Sequence, residues 1–449
     1  MRRDRVHWVY WSVCAGFALM LAVVTTIQEH RVWGGCAAVG YGAAALLTRR
    51  APRSWSRTGA IAALVGAVGV PLAVLMVLGV AQPEVGVVEH SAGLLLGSGS
   101  PYAAHPLRVD DFNPYLPGMA IFGLPHVLLG GTPLGDARFW FAGAFLVTMA
   151  LAVRHGAAGR GPVAAGRTRR PNTVLLLVGF PAVALPLAVG GVDLPVIGLM
   201  CLALALAGRG GSGTAAGLAM GAAAALKWTA WPLLPVGLAL VAVTAGRRAA
   251  ARAGLVALGV AGLVVVPVAL VNPRAFTEHV VLFPLGAAGV TSPATSPLPG
   301  YLLATYVRGG RAVAVAALVT TAVAMAVSLV VRPPRTVVAA ADRLALGLGL
   351  AMCLMPATRF GYLVYPLLLA AWFRQDRTTP VTGSAHTTAP RRAAPTAAPD
   401  LTPVQGRMAG GRVRAGPHDD PRGPRRRPGH GALGVRRPAG RAGRHRRDG

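Results

Sequence analysis

Twelve apolar runs, at 8–27, 33–48, 59–81, 139–153, 173–189, 194–207, 214–230, 232–246, 254–271, 312–331, 344–357 and 360–373, follow one another along the chain. About 20 apolar residues cross the ~30 Å hydrocarbon layer as a helix. Within lipid, backbone N–H and C=O groups find partners only in helices or closed barrels, and the alternating ten-residue pattern of barrel strands is missing here. The expected fold class is all-α: a polytopic transmembrane helix bundle of about 12 spans.

Composition agrees, because only 13% of residues are charged where a soluble protein carries about 25%. A water-soluble enzyme is excluded on that ground. The net charge of +29 comes almost wholly from arginine, with Lys227 the only lysine among 44 basic residues. A folded basic face with stacking aromatics is absent, so a nucleic-acid partner is not expected; the arginines in short loops read as topology signals. Residues 374–449 hold 17 Arg and 5 Asp without an apolar period and read as a disordered, Arg/Pro/Gly/Ala-rich cytoplasmic tail. The four cysteines stand singly in apolar runs, which predicts neither a disulfide framework nor a metal centre, and no cofactor motif occurs. The first run, lacking a cleavage signature after it, reads as an uncleaved span.

The stretch 118–130 contains Pro125 and is too short to span, so it reads as a re-entrant or interfacial helix. Counting it as a span would put the arginine-rich loop 154–172 outside, against the positive-inside rule. This parity makes both termini cytoplasmic and residues 1–373 one transmembrane domain with an outer acidic loop at 82–117. That loop carries Glu84, Glu89, Asp110 and Asp111.

Three later helix pairs, within 173–207, 214–246 and 344–373, are too short to cross twice in full. Their outer turns should therefore lie below the membrane surface, and they carry Asp193, Lys227 and Arg359. Charge at such depth is tolerated around a protein-lined or wet cavity. Lys227, beside Trp228 and Trp231, is either a point charge for an anionic group or a lysine snorkelling to the interface. Arg359, followed by Tyr362, is either a phosphate ligand or a structural partner of a carboxylate such as Asp193. Any of the four loop carboxylates is a candidate general base for a hydroxyl acceptor, against the alternative of a solvated loop.

Taken together, EVGVVEHSAGLLLGSGSPY at 84–102, FNPYLPGMAIFGLP at 112–125, GGVDLPVIGLMCLALAL from 190 and ALKWTAWPLLP from 225 resemble motifs of the GT-C membrane glycosyltransferases. The resemblance is closest to glycosyltransferase family 87, the polyprenyl-phosphate-mannose-dependent mannosyltransferases of actinobacteria. It covers roughly residues 80–373. Two spans precede the one that ordinarily comes first, Asp193 replaces an amide, and the family's catalytic Asp falls on Glu84, with Glu89 close by.

The resemblance implies a plasma-membrane hexosyltransferase, mannose being the sugar, with an extracytoplasmic site. It would take a polyprenyl-phosphate-linked donor from the lipid bilayer and act on a glycan or glycolipid acceptor, with inversion. Glu84, then Glu89, would be the base, with Asp110 and Asp111 as further candidates; Lys227, then Arg359, would hold the donor phosphate. Tyr102, Asn113, Tyr115, Asp193, Trp228, Trp231 and Tyr362 would line the cavity. The alternative is a non-catalytic membrane protein, a translocator of lipid-linked substrate or an assembly subunit.

Overall fold

The computed structural model describes residues 5–50, 57–158, 171–290 and 293–374. Arg160, Arg167, Arg169 and Arg170 of the expected inner loop, and the tail from 375 onward, lie outside the described residues. Among the described residues the chain is helical, with one isolated β-bridge, Thr295 to Thr358, and no strand.

The helices are α1 Arg5–Val24, α2 Gln28–Arg50, α3 Arg57–Val77 with a π turn at Val65–Gly69, and α4 Pro83–Ser98. A 3-10 turn Pro117–Gly123 leads into α5 Leu124–Leu129, then come α6 Ala137–Ala158, α7 Pro171–Val178, α8 Pro181–Val189 and α9 Asp193–Arg209. The remainder are α10 Thr214–Leu226, α11 Leu233–Ala245, α12 Arg247–Val271, α13 Pro273–Thr277, α14 Pro299–Tyr306, α15 Gly310–Val331, α16 Val337–Leu354 and α17 Val364–Arg374.

All twelve apolar runs fall on helices, yet among the described residues 7 are long and apolar enough to cross a membrane. The run 173–189 breaks at Gly179, because Pro181 has no N–H to extend α7 and instead opens α8. The carbonyl left free at Gly179 accepts from the Tyr41 hydroxyl at 2.6 Å, and Tyr10 donates to Leu176 at 3.2 Å. The α1–α2 hairpin is thereby bonded to α7. The stretch 117–129 is a 3-10 turn and a short helix.

Apolar on every side, α9 is enclosed by its neighbours, with Leu194, Ile197, Met200 and Cys201 fully buried against α6, α10, α11, α16 and α17. Gly217 and Gly221, one turn apart on α10, let it lie on α12 so closely that a Cβ at either would sit 2.5 or 2.6 Å from the carbonyls of Ala253 and Ala257. A second, smaller core joins α1, α2 and α3 to α8 through Trp11, Trp33, Tyr41 and Ala184.

The segment 82–117 is not irregular throughout. Its first half is α4, opened by Pro83 at the first helical position and closed by Gly99 at φ 74°.

Candidate active site

Glu84 stands in the first turn of α4. The chain just before it is fixed from two directions: Gln82 N–H donates to the Val189 carbonyl at 3.1 Å, and the Gln82 side chain bonds His30 Nε2 at 3.1 Å. From that position the carboxylate receives a hydrogen bond on Oε1 from Arg359 Nη1. Backbone pairing locates Arg359 in turn, since Ser296 N–H donates to Thr358 O and Thr358 N–H to Ala294 O, each at 3.0 Å. Phe360 N–H completes this anchor on Ser296 Oγ at 3.0 Å.

The second ion pair lies where two short helices meet. Asp193 begins α9, and Lys227 ends α10 in an extended conformation. Lys227 Nζ donates to Asp193 Oδ1 at 2.5 Å. The same oxygen accepts from the Tyr365 hydroxyl at 2.7 Å, and that hydroxyl accepts from Thr229 at 2.8 Å. The ammonium also lies 5.2 Å from the Tyr115 ring centroid and 5.0 Å from that of Tyr362, within the range of cation–π attraction. Asp193 therefore partners Lys227, while Arg359 takes Glu84.

Tyr115 reaches this position because its segment is tied along its length. Tyr102 donates to the Tyr115 carbonyl at 2.9 Å, Asn113 Oδ1 accepts from Tyr115 N–H at 3.0 Å, and Leu116 N–H bonds the Leu226 carbonyl at 3.1 Å. Gly118 then passes so close to α10 that a Cβ would lie 2.7 Å from Ala225 O.

A buried histidine braces the same segment. His279 Nδ1 accepts from Asn113 N–H at 2.9 Å, while Nε2 is 2.9 Å from the Ala103 carbonyl and donates to it, which fixes a neutral tautomer. Burial lowers the affinity of His279 for a proton.

Other expected site residues have different surroundings. Glu89 sits on α4 but caps the start of α6, accepting from Ala137 N–H at 3.0 Å and lying 3.5 Å from His126. Burial raises its pKa from the ordinary carboxylate range, against the opposing pull of the Ala137 N–H. Asp111 accepts from Arg108 N–H at 2.7 Å and Leu107 N–H at 3.0 Å, bonds that hold its pKa down, while Asp110 lies 3.9 Å from the well-exposed Arg108. Tyr102 and Asn113 serve the backbone around Tyr115. The tryptophans are likewise engaged, Trp228 to Val280 O and Trp231 to Ala224 O, each at 3.2 Å.

The sequence reading did not single out Arg138, which is buried and grips Asp136 through Nε and Nη2 while donating from Nη1 to the Val80 carbonyl at 2.7 Å. Nor did it assign roles to Thr229 and Tyr365, which stand among mostly apolar residues in sequence and break no pattern.

The molecule thus has the character of a helical membrane protein, with opposed charges gathered at the ends of helices too short to span. Its family follows from comparison: the model of glycosyltransferase family 87 matches residues 113–356, and the chain belongs to that family. It is accordingly a membrane glycosyltransferase. Tyr115, Asp193 and Lys227 fall within the matched segment, whereas Glu84 and Arg359 flank it. Comparison with curated proteins and with solved structures gave no match.

Proposed function

We propose that this transferase moves a hexose, with mannose the first choice, from a polyprenyl-phosphate donor to an extracytoplasmic glycan or glycolipid acceptor, inverting the anomeric centre. The bundle would cross the plasma membrane about 12 times, with both termini cytoplasmic and the site facing outward.

The observation that carries this reading is the proximity of two ion pairs, Glu84 with Arg359 and Asp193 with Lys227, close enough that Lys227 also feels Glu84 and that Tyr115 and Tyr362 lie within electrostatic reach of both pairs. The 13 residues of α10 make about 20 Å of helix against a ~30 Å hydrocarbon layer, so its end lies at a depth that a lipid-linked phosphate can reach sideways. Glu84 is the base: it takes the acceptor hydroxyl's proton as that oxygen bonds to the anomeric carbon. Lys227 and Arg359 offset the charge that gathers on the leaving phosphate, an electrostatic contribution that commonly dominates such catalysis. Glu89, Asp110 and Asp111 rank lower because their carboxylates bind backbone N–H groups or lie beside an exposed arginine.

Purified protein supplied with a radiolabelled polyprenyl-phosphate hexose and a glycolipid acceptor tests this directly. Loss of a general base lowers turnover by about 10²–10⁴-fold, so Glu84→Gln should reduce product formation by at least about that lower factor. Wild-type turnover in Glu84→Gln would reject the base, and failure of the wild type with every polyprenyl-phosphate sugar would reject the donor class.

A further inference from the structure

The four charged groups at the centre of the site are already matched, Lys227 with Asp193 and Arg359 with Glu84. Two cations face two carboxylates, so an arriving phosphate gains an ionic partner by displacing one of the carboxylates. The pairs are not equally easy to open. The Lys227 and Asp193 side chains are 10% and 16% exposed, and Asp193 is held by Tyr365, itself held by Thr229. The Arg359 and Glu84 side chains are 36% and 22% exposed and meet through one oxygen, Oε1. A more hydrated pair with fewer bonds gives less when made and costs less to break. The backbone on both sides of Arg359 is pinned to Ser296, so its side chain can turn on a fixed base.

We propose that Arg359 is an exchangeable cation: at rest it masks Glu84, and the donor phosphate draws it away, so the base is bared only once the lipid-linked sugar is seated. The inference rests on the proposed base and donor class. Its planar fork of N–H donors suits a phosphate at least as well as a carboxylate. In the step that follows, the acceptor hydroxyl gives its proton to Glu84 and its oxygen bonds to the anomeric carbon. The bond from that carbon to the phosphate oxygen breaks, and its electron pair stays on the phosphate, whose charge rises by one unit opposite Arg359. Once protonated, Glu84 no longer competes for Arg359, which stays with the leaving phosphate as its charge builds.

The exchange makes a prediction that a base alone does not: removing Glu84 should tighten lipid phosphate binding while it abolishes transfer. Affinity for a short-chain polyprenyl phosphate, measured in detergent on the full chain, should rise by roughly two- to fivefold in Glu84→Ala, the range for losing a competing, partly hydrated ion pair. A smaller rise is expected in Glu84→Gln, whose amide oxygen still bonds Arg359 and whose matched shape guards against loss of the fold. Arg359→Gln should bind at least about tenfold more weakly, and the Glu84→Ala/Arg359→Gln pair should show no gain over Arg359→Gln alone. Unchanged or weaker binding in both Glu84 variants, or a gain that persists in the double variant, would overturn the exchange. Absence of saturable binding by the wild type would instead remove the donor reading beneath it.

Discussion

Replacing Arg138 by methionine removes the cation from a buried pair and leaves the Asp136 carboxylate behind. The Arg138 side chain is 1% exposed and that of Asp136 17%. Breaking a buried pair from one side costs about 3–5 kcal/mol; because water still reaches Asp136, the lower end applies, about 3 kcal/mol. The Val80 carbonyl, which accepts from Nη1, adds about 1 kcal/mol when left without that donor. The single variant should therefore lose about 3–4 kcal/mol. Arg138→Met/Asp136→Asn removes both charges and should recover about half of the loss, since the amide oxygen can still cap α6 by accepting from the backbone N–H of residue 138, as Asp136 Oδ1 does at 2.9 Å. Unfolding by a denaturing detergent in mixed micelles, followed by tryptophan fluorescence, measures both. A loss below about 1 kcal/mol in the single variant, or a double variant no more stable than the single, would refute the argument.

Two further outcomes follow from the same segments. His279 is held neutral and its folded pKa is lowered by burial from 6.5, so below about pH 6.5 the unfolded chain binds more protons and stability falls as pH drops toward the folded value; His279→Gln, which keeps an acceptor and a donor, should flatten the slope of unfolding midpoint against pH, and an unchanged slope would assign the acid sensitivity elsewhere. Gly123→Ala would place a Cβ 2.3 Å from the Val88 carbonyl on α4 and should cost about 1–3 kcal/mol together with transfer activity, whereas Gly93→Ala on the same helix meets nothing within 4 Å and should be neutral in the same unfolding assay.

Sequence alone singled out the charged turns but not their pairing. The shortness of the runs around Asp193, Lys227 and Arg359 singles out those turns as the ones that carry charge, and Asp193 and Lys227 do form an ion pair. As members of a loop at 82–117, Glu84 and Glu89 are chemically equivalent, and the resemblance alone puts Glu84 first. Once α4 is a helix, five positions turn the side chains about 140° apart, so one meets Arg359 and the other the start of α6. Pro83 and the glycine after Ser98 were the available signals for that helix. Asp136, standing just before an apolar run, similarly carries the mark of a helix cap. The bonds of Tyr365 and His279 had no such mark, because their partners are 172 and 166 residues away in sequence.

The kink at Gly179 ties the segment matched by the family model to sequence that lies before it. The proline that opens α8 leaves a bare oxygen in a water-poor interior, and Tyr41 from the amino-terminal hairpin quenches it. The hairpin is thus a splint for the break. A chain trimmed back to the matched stretch, residues 113–356, would keep the fracture and lose the brace.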